Sequence, residues 1–351
     1  MAGSRALPKI LILYTGGTFG MDADSLTIPK LSPEALRLRL LSRVPELADM
    51  ARCQVEIVMN RDSAHVGPAE WVTLARYIRE RWNRFDGMVV LHGTDTLAYT
   101  ASALSFLLRP CRVPVVLTGA QRPLSAIRSD ARRNLISAVE MAATVTQNKR
   151  LGQVAVFFND LLFQGNRVRK RSAVDFSGFE SPKAPVLARV GAQVHWDSRA
   201  FVAIGAAPRL EDSFSSRVAM LQVSPGMPSR ILREKLLPEL DGLVLVAFPS
   251  GTAPTHDPEF LALLAEARSK EIAVVVATEG VGVSGSEYRA GKQMLELGAL
   301  WSGAMTPECA YVKALWILGQ SDLARGSGQK RLNRFKKLWE RELAWEGVSH
   351  R

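Results

Sequence analysis

The sequence predicts an α/β protein of two domains, each with helices packed on a mainly parallel β-sheet. Short apolar runs rich in branched residues alternate along the chain with longer amphipathic stretches. That alternation is typical of a doubly wound sheet, whose buried strands are apolar on both faces. The length of 351 residues, with 47% hydrophobic and 23% charged residues, suits about two ordinary globular domains.

The first half of the chain carries the clearer alternation. Short apolar runs bounded by turn-forming residues predict buried strands at 9–14, 55–59, 87–92, 113–118 and 154–158. Amphipathic stretches between them predict helices at 68–81, 94–108 and 129–143. We therefore expect a larger N-terminal domain with a doubly wound sheet over residues 1–205.

A second series of apolar runs follows a stretch with weaker periodicity. It predicts strands at 218–223, 242–246 and 272–277, and then a strand and helix around 303–318. Residues 330–345 place large apolar side chains at helical spacing, which predicts an amphipathic helix with a basic outer face. We expect a linker at 206–216 and a smaller C-terminal α/β domain over 217–351.

Cysteine usage and hydropathy indicate a cytoplasmic protein. The three cysteines, Cys53, Cys111 and Cys309, are widely spaced and form no CxxC pair, so neither a disulfide framework nor a zinc knuckle is predicted. The first apolar run is too short for a signal sequence. No uncharged stretch reaches the roughly 18 residues needed to span a bilayer.

The net charge of +11 could attract nucleic acid or acidic ligands to the surface. No RNP, zinc-finger or helix-turn-helix signature accompanies the basic residues, so we interpret them as a solvated surface and do not expect nucleic-acid binding. The five histidines show no HxxxH or HxH pairing, and no GxSxG or GxxxxGK[ST] motif is present. The sequence therefore predicts neither a metal nor a cofactor.

Polar and glycine-rich segments follow three of the predicted strands. TGGT at 15–18 follows the first strand, and two glycines there allow the backbone to turn sharply and approach a ligand. HGTDT at 92–96 follows a later strand, where Thr94 and Asp95 could simply cap the next helix. Lys170, in a third segment, could lower the pKa of a nearby hydroxyl if it folds beside Thr94 and Asp95.

These motifs together resemble one known family. TGGT, HGTDT and TGAQRP at 118–123 occur in the order and spacing of the bacterial-type L-asparaginases. FFNDLLFQGNRVRK at 157–170, followed by FESP at 179–182, is similar to the catalytic-lysine segment of the type I, cytoplasmic branch. The resemblance is clearest over 9–185 and implies the asparaginase-like fold of a larger N-terminal and a smaller C-terminal α/β domain.

The resemblance assigns roles to particular residues. Thr18 would be the nucleophile, attacking the side-chain amide to give a β-aspartyl ester and ammonia before water hydrolyses the ester. Thr94, Asp95 and Lys170 match a triad that activates a hydroxyl or water, and Asp95 would also hold the substrate amino group. Backbone amides near Gly93, Thr94 and Thr18 are candidates for stabilising an oxyanion. Four further positions would bind substrate, with Ser63 on its α-carboxylate: Asp62, Ser63, Gly17 and Gly93.

One departure from the family pattern concerns the loop after the nucleophile. Family members commonly carry a tyrosine about 10 residues further on, whereas residues 21–29 contain none. Ser25 or Thr27 would be imperfect substitutes, because their hydroxyls are far weaker acids than a phenol. We therefore expect Lys170, through Thr94, to carry more of the activation.

Two other functions remain open from sequence. The chain could prefer glutamine, or serve as the ammonia-releasing subunit of a tRNA-dependent amidotransferase, although those subunits carry an extra N-terminal domain and only eight residues precede the first strand here. Alternatively it could be a non-catalytic amino-acid sensor, but the complete set of Thr18, Thr94, Asp95 and Lys170 favours an enzyme. The resemblance also implies a homodimer or homotetramer.

Overall fold

The computed structural model describes residues 6–22, 32–146, 149–197, 210–282, 285–324 and 328–347. The chain divides into two compact units, which consist of Met1–Ser181 with Pro185–Ala207 and of Pro182–Ala184 with Pro208–Arg351. Of the predicted linker, residues 206–209 lie outside the described residues, and 210–216 contain neither helix nor strand.

The first unit combines one large sheet with helices and two small ribbons. Its strands are β1 (Lys9–Gly16), β2 (Arg52–Arg61), β3 (Gly87–Leu91), β4 (Val115–Thr118), β5 (Val145–Thr146), β6 (Lys149–Arg150), β7 (Val154–Phe158), β8 (Leu161–Gln164), β9 (Arg169–Lys170), β10 (Phe179–Glu180), β11 (Ala188–Val190) and β12 (Val194–Trp196). Its helices are α1 (Pro33–Arg43), α2 (Leu47–Met50), α3 (Pro68–Arg81), α4 (Leu97–Leu107) and α5 (Ala131–Ala143).

The large sheet has the strand order β12-β11-β8-β7-β4-β3-β1-β2. The pairings from β2 through β1, β3 and β4 to β7 are parallel, and those from β7 through β8 and β11 to β12 are antiparallel. Because β2 and β3 lie on opposite sides of β1, the chain changes direction along the sheet between β1 and β3. Ligands of open α/β sheets bind at such a switch point, beyond the carboxyl ends of the strands.

Burial explains why the central strands were predictable. Every residue of β3, β4 and β7 is buried, as is every residue of β1 after Lys9, so these strands appear in the sequence as continuous apolar runs. Helix α3 begins with Pro68 and has a carboxylate in its first turn, since Glu70 Oε2 accepts a hydrogen bond from Gly67 N at 3.1 Å. The mainly parallel α/β fold is confirmed, and α3 has the predicted bounds.

Several local predictions were wrong. The sequence did not predict α1. It also did not predict the antiparallel edge of the sheet, because β8, β11 and β12 have only three or four residues each and lack a long apolar run. Helix α4 begins at Leu97 rather than residue 94, since the preceding residues form the loop that leaves β3. Strand β2 extends beyond the predicted 55–59 at both ends, and its mixed burial is that of an edge strand.

The second unit has a smaller sheet in the order β13 (Val218–Gln222), β14 (Gly242–Ala247), β15 (Ala273–Thr278) and β16 (Leu300–Trp301), with all pairings parallel. Its helices are α6 (Ser229–Ile231), α7 (Pro258–Ser269), α8 (Arg289–Glu296), α9 (Pro307–Leu318), α10 (Ser321–Ala324) and α11 (Gln329–Trp339). In the described part of the chain, no helix combines the length and apolarity required to cross a membrane.

A buried ion pair ends the C-terminal helix earlier than predicted. Lys313 and Glu346 are both fully buried, with Lys313 Nζ 2.5 Å from Glu346 Oε1. The Glu346 carboxylate also accepts hydrogen bonds from the backbone N–H groups of Leu343 and Ala344. These N–H groups point at a carboxylate instead of helical carbonyls, so α11 ends at Trp339 and not at the predicted residue 345.

This pair gives a test of the second unit's stability. Replacing Lys313 with Met leaves the Glu346 carboxylate buried without its counter-charge, so we expect the free energy of unfolding to fall by about 3–5 kcal/mol. Urea unfolding measures the change. Lys336→Met is the matched control, because Lys336 lies 3.8 Å from Glu340 at an exposed position and should change stability by less than about 1 kcal/mol. Equal losses in the two variants would contradict this account.

Candidate active site

The turn after β1 brings the backbone against two neighbouring segments. Gly16 and Gly17 have φ values of +112° and +81°, which side chains rarely adopt. A Cβ atom on Gly16 would lie 2.1 Å from Arg61 O, and one on Gly17 would lie 2.4 Å from the Cα of Gly93. Glycine is therefore required at both positions for the turn to pack against the ends of β2 and β3.

The segments after β2 and β3 also meet at a glycine. A Cβ on Gly93 would lie 2.7 Å from both Cβ and Oγ of Ser63, which is buried. The Thr96 hydroxyl donates to Ser63 O at 2.6 Å and ties the two segments together. Asp62 is exposed, and its carboxylate accepts from Ala64 N at 2.9 Å, which shapes the turn around Ser63. The structure thus brings Gly17, Ser63 and Gly93 together.

Lys170 lies beside the loop that follows β3. Its Nζ is 2.8 Å from Thr94 Oγ1 and 2.6 Å from Asp95 Oδ1. Thr94 is buried, and the side chain of Lys170 is 18% exposed, whereas that of Asp95 is 67% exposed. The amine therefore joins a buried hydroxyl to a carboxylate that faces solvent.

Helix capping does not account for Thr94 and Asp95. The residue before α4 is Thr96, which makes no side-chain capping hydrogen bond. The hydroxyl and carboxylate at 94 and 95 contact Lys170, 75 residues or more away in the chain. Their contacts are those of a polar site and not of a helix end.

Thr18 opens a short 3-10 turn, Thr18–Gly20, directly after Gly17. It is half-buried, and among the described residues its hydroxyl has no hydrogen-bond partner. Because Gly17 packs on Gly93, Thr18 and Thr94 each follow one of two touching glycines. The two threonine segments are neighbours at the switch point of the sheet.

Tyr14 supplies a phenol beneath this turn, but not an accessible one. It is 1% exposed, and a Cβ on Gly20 would lie 2.1 Å from its Oη. Burial raises the pKa of Tyr14 to about 12, and the charge of Arg39 only partly opposes this. Tyr14 therefore stays protonated in the core. Ser25 and Thr27, the predicted substitutes for a loop tyrosine, lie outside the described residues.

Gln121 contributes to the site, although the sequence did not single it out. Its Nε2 donates to the carbonyl oxygens of Ser172 at 2.8 Å and Asp175 at 3.0 Å, which fixes the amide so that Oε1 faces Thr94 Oγ1 at 3.5 Å. The carbonyls belong to the tip of the β9–β10 hairpin, which carries Lys170. Gln121 thus joins Thr94 to the Lys170 hairpin. The available signal was its place in the TGAQRP segment after β4.

Helix α5 holds the Gln121 loop in turn. The Asp130 carboxylate accepts from the backbone N–H groups of Gln121 and Arg122 at 2.9 and 3.0 Å. The buried side chain of Asn134 donates to Gly119 O at 3.0 Å and accepts from Asn159 N at 3.1 Å. These contacts link the ends of β4 and β7 to the same helix.

His92 is the first residue of the loop that follows β3. It is 1% exposed, with Nδ1 2.7 Å from Gly93 O and Nε2 3.0 Å from Thr100 Oγ1. Burial lowers the pKa of His92 to about 4, although its hydrogen bond to Gly93 works in the other direction. The ring is therefore neutral at neutral pH.

The arrangement can perform acyl-transfer chemistry. It combines a half-buried hydroxyl on a glycine turn, a second hydroxyl in contact with an amine, and backbone N–H groups at strand ends. Among the described residues, no group of three histidine, cysteine, aspartate or glutamate side chains could hold a metal ion.

Known families and proteins match this chain over nearly its whole length. The family described as "Asparaginase, N-terminal" matches residues 9–201, and that described as "Glutaminase/Asparaginase C-terminal domain" matches 217–326. The L-asparaginase of Thermococcus kodakarensis is 32% identical, with 96% of this chain and 98% of that protein covered. Its solved structure matches over the same shares with a TM-score of 0.82.

Two mammalian proteins are similar at comparable identity. The mouse "60 kDa lysophospholipase" is 33% identical over 96% of this chain, and the human protein of that name is 34% identical over 90%. This chain spans 62% of the length of the mouse relative and 58% of the human one.

The contacts of Gln121 predict how firmly the Lys170 hairpin is held. Hairpins of such short strands are not stable alone. Gln121→Leu removes the two N–H donors of Nε2 that hold the hairpin. It should therefore speed amide hydrogen exchange at Arg171 and Ser172 on the order of tenfold or more. Hydrogen–deuterium exchange of the peptide around 167–182 measures this. Gln54→Leu, a matched change at an exposed position whose amide contacts Glu56, should leave it unchanged. Equal exchange in Gln121→Leu and wild type would contradict the prediction.

The buried imidazole predicts a pH dependence of stability. Between pH 6.5 and 4 the unfolded chain binds a proton at His92 that the folded unit does not, so the free energy of unfolding falls as the pH falls. The contribution is fully present above pH 6.5, and about 3 kcal/mol of it is lost by pH 4. His92→Gln cannot titrate, so from pH 7 to pH 4 the wild type should lose about 3 kcal/mol more than this variant. Urea unfolding at several pH values measures the difference, and parallel curves would refute it.

Proposed function

The chain belongs to the asparaginase family, and we propose that it is an L-asparaginase-type amidohydrolase that converts L-asparagine to L-aspartate and ammonia. One observation carries the proposal most directly. Lys170 Nζ contacts both Thr94 Oγ1 and Asp95 Oδ1, at 2.8 and 2.6 Å, from a segment 75 residues away in the chain. A buried hydroxyl held against an amine is suited to move a proton to or from a reacting group.

Thr18 is the proposed nucleophile. Its Oγ forms a bond to the side-chain carbonyl carbon of asparagine as its proton leaves, and the carbonyl oxygen becomes an oxyanion. Collapse of this intermediate breaks the carbon–nitrogen bond, and the nitrogen, which receives a proton through Thr94, departs as ammonia and leaves a β-aspartyl ester. Water then attacks the ester carbonyl carbon, its proton passes through Thr94 to Thr18 Oγ, and cleavage of the ester bond releases L-aspartate and free Thr18. The position of Thr18 on a glycine turn, half-buried at the switch point, supports this role.

The proposed relay consists of Thr94, Asp95 and Lys170. Thr94 Oγ1 accepts the proton of Thr18 while its own proton passes to the departing nitrogen, and the positive charge of Lys170 stabilises the negative charge that develops on Thr94 Oγ1 during these transfers. Asp95 holds the amine in place, and its exposed carboxylate is free to bind the substrate α-amino group as well. Tyr14 is buried in the core and cannot take part. In this proposal the relay supplies the activation of Thr18 that a tyrosine on the loop after the nucleophile would otherwise share.

Substrate binding is proposed for the glycine and Asp62-Ser63 segments. Ser63 would hold the α-carboxylate, while Gly17 and Gly93 let the backbone approach the reacting amide. Asp62 supports this pocket through its hydrogen bond to Ala64 N. The resemblance to type I enzymes further supports a homodimer or homotetramer. Three free cysteines, two of them buried, fit a reducing cytoplasm.

The test is ammonia release from L-asparagine and, separately, from L-glutamine. Thr18→Ala should lower asparagine turnover on the order of 10³-fold or more, since no other nucleophile replaces the lost hydroxyl. Lys170→Met should lower it on the order of 10²-fold or more, as expected for loss of a proton-relay group.

Two matched variants serve as controls for these substitutions. Thr73→Ala removes an exposed hydroxyl that donates to a carbonyl within α3, and Lys270→Met removes an exposed amine paired with Glu266. Both should keep wild-type turnover. A folded wild-type protein that releases ammonia from neither amide would refute the proposal, and one that binds them tightly without turnover would favour a sensor.

A further inference from the structure

His92 has a defined hydrogen-bonding role that the proposed chemistry does not use. The Gly93 carbonyl can only accept, so the hydrogen of the neutral ring is on Nδ1, 2.7 Å away. Nε2 must then accept from the Thr100 hydroxyl at 3.0 Å, and Thr100 Oγ1 in turn accepts from Trp71 Nε1 at 3.1 Å. The buried contacts form one directed chain from Trp71 to Gly93.

The ring itself has no access to substrate. His92 is 1% exposed and both of its nitrogens are engaged within the protein. Its pKa of about 4, lowered by burial, keeps it uncharged at neutral pH. General acid or base catalysis by this residue is therefore excluded by its contacts, and its effect must pass through Gly93.

The hydrogen bond to Gly93 O determines the direction of the next N–H. In a planar trans peptide the carbonyl and the following N–H point in opposite directions. Since Gly93 O points at the imidazole, Thr94 N–H points away from it. Within the described residues that N–H has no protein acceptor, although Thr94 is only 7% exposed. A buried donor without an acceptor is suited to a ligand oxygen.

Packing on both sides of this peptide limits other orientations. Gly93 has Gly17 and Ser63 against its Cα, and the backbone of His92 is tied to β4 by a hydrogen bond from its N–H to Thr118 O at 2.9 Å. The hydrogen bond from the imidazole to Gly93 O restrains rotation of the Gly93–Thr94 peptide plane. A donor held in advance of reaction costs no reorganisation in the transition state.

We propose that His92 is a positioning residue, which orients the Gly93–Thr94 peptide so that Thr94 N–H stabilises the oxyanion formed when Thr18 attacks. This inference rests on the proposed amidohydrolase function. It predicts that loss of the Nδ1 donor acts mainly on kcat, because the oxyanion exists only after attack.

The test compares His92→Leu with His92→Asn. Leucine removes the donor, so kcat for L-asparagine should fall on the order of 10²-fold with KM within about threefold of wild type. The side-chain amide of asparagine can place its nitrogen near the position of Nδ1, so His92→Asn should recover at least about tenfold of that loss. His195→Leu, the same substitution at an exposed residue of β12, should match wild type. Circular dichroism confirms that each variant is folded.

Two further readouts separate positioning from acid–base chemistry. The pH dependence of kcat/KM should keep its apparent pKa values in His92→Asn, and ¹⁵N NMR of the wild type should show His92 protonated on Nδ1. Equal losses in the leucine and asparagine variants, a loss confined to KM, or protonation on Nε2 would overturn the role of His92. Absence of turnover in the wild type would instead overturn the proposed function.

Discussion

The backbone contact between Gly17 and Gly93 is the constraint on which the rest of the site depends. An added Cβ on Gly17 would lie 2.4 Å from the Cα of Gly93, and one on Gly93 would lie 3.3 Å from the Cα of Gly17 and 2.7 Å from Ser63. Because these glycines follow two adjacent parallel strands, the strand order brings the segments of Thr18 and Thr94 to the same edge of the sheet. The catalytic proposal therefore rests first on main-chain packing and only then on side-chain chemistry.

The sequence predicted the buried strands and the polar segments that follow them, because both depend on residues that are close together in the chain. Glycine turns and hydroxyls after apolar strands pointed to Thr18, Thr94 and Asp95, because ligands of parallel sheets collect at those ends. Lys170 needed the family resemblance, since nothing local ties a lysine on a two-residue strand to a loop 75 residues away. Gln121 was missed for the same reason: its contacts with Ser172 and Asp175 are purely tertiary.

The site depends on the side chains of buried and half-buried polar residues as much as on the proposed reactive groups. Asn134 and Asp130 hold one loop, Gln121 joins that loop to the Lys170 hairpin, and His92 supports the Thr94 loop from behind. Each polar atom in this shell has a partner of fixed direction, which restricts the reactive groups to one geometry.

The ion pair of Lys313 and Glu346 has a consequence for the order in which the chain folds during synthesis. Lys313 lies in α9. Its buried amine is surrounded by Glu346 and by the carbonyl groups of Trp339 and Arg341. These partners emerge from the ribosome about 30 residues after Lys313. Until then, burial of the charged amine would cost free energy, because its counter-charge is absent. We therefore expect the core of the second unit to pack fully around α9 only once residue 346 is available.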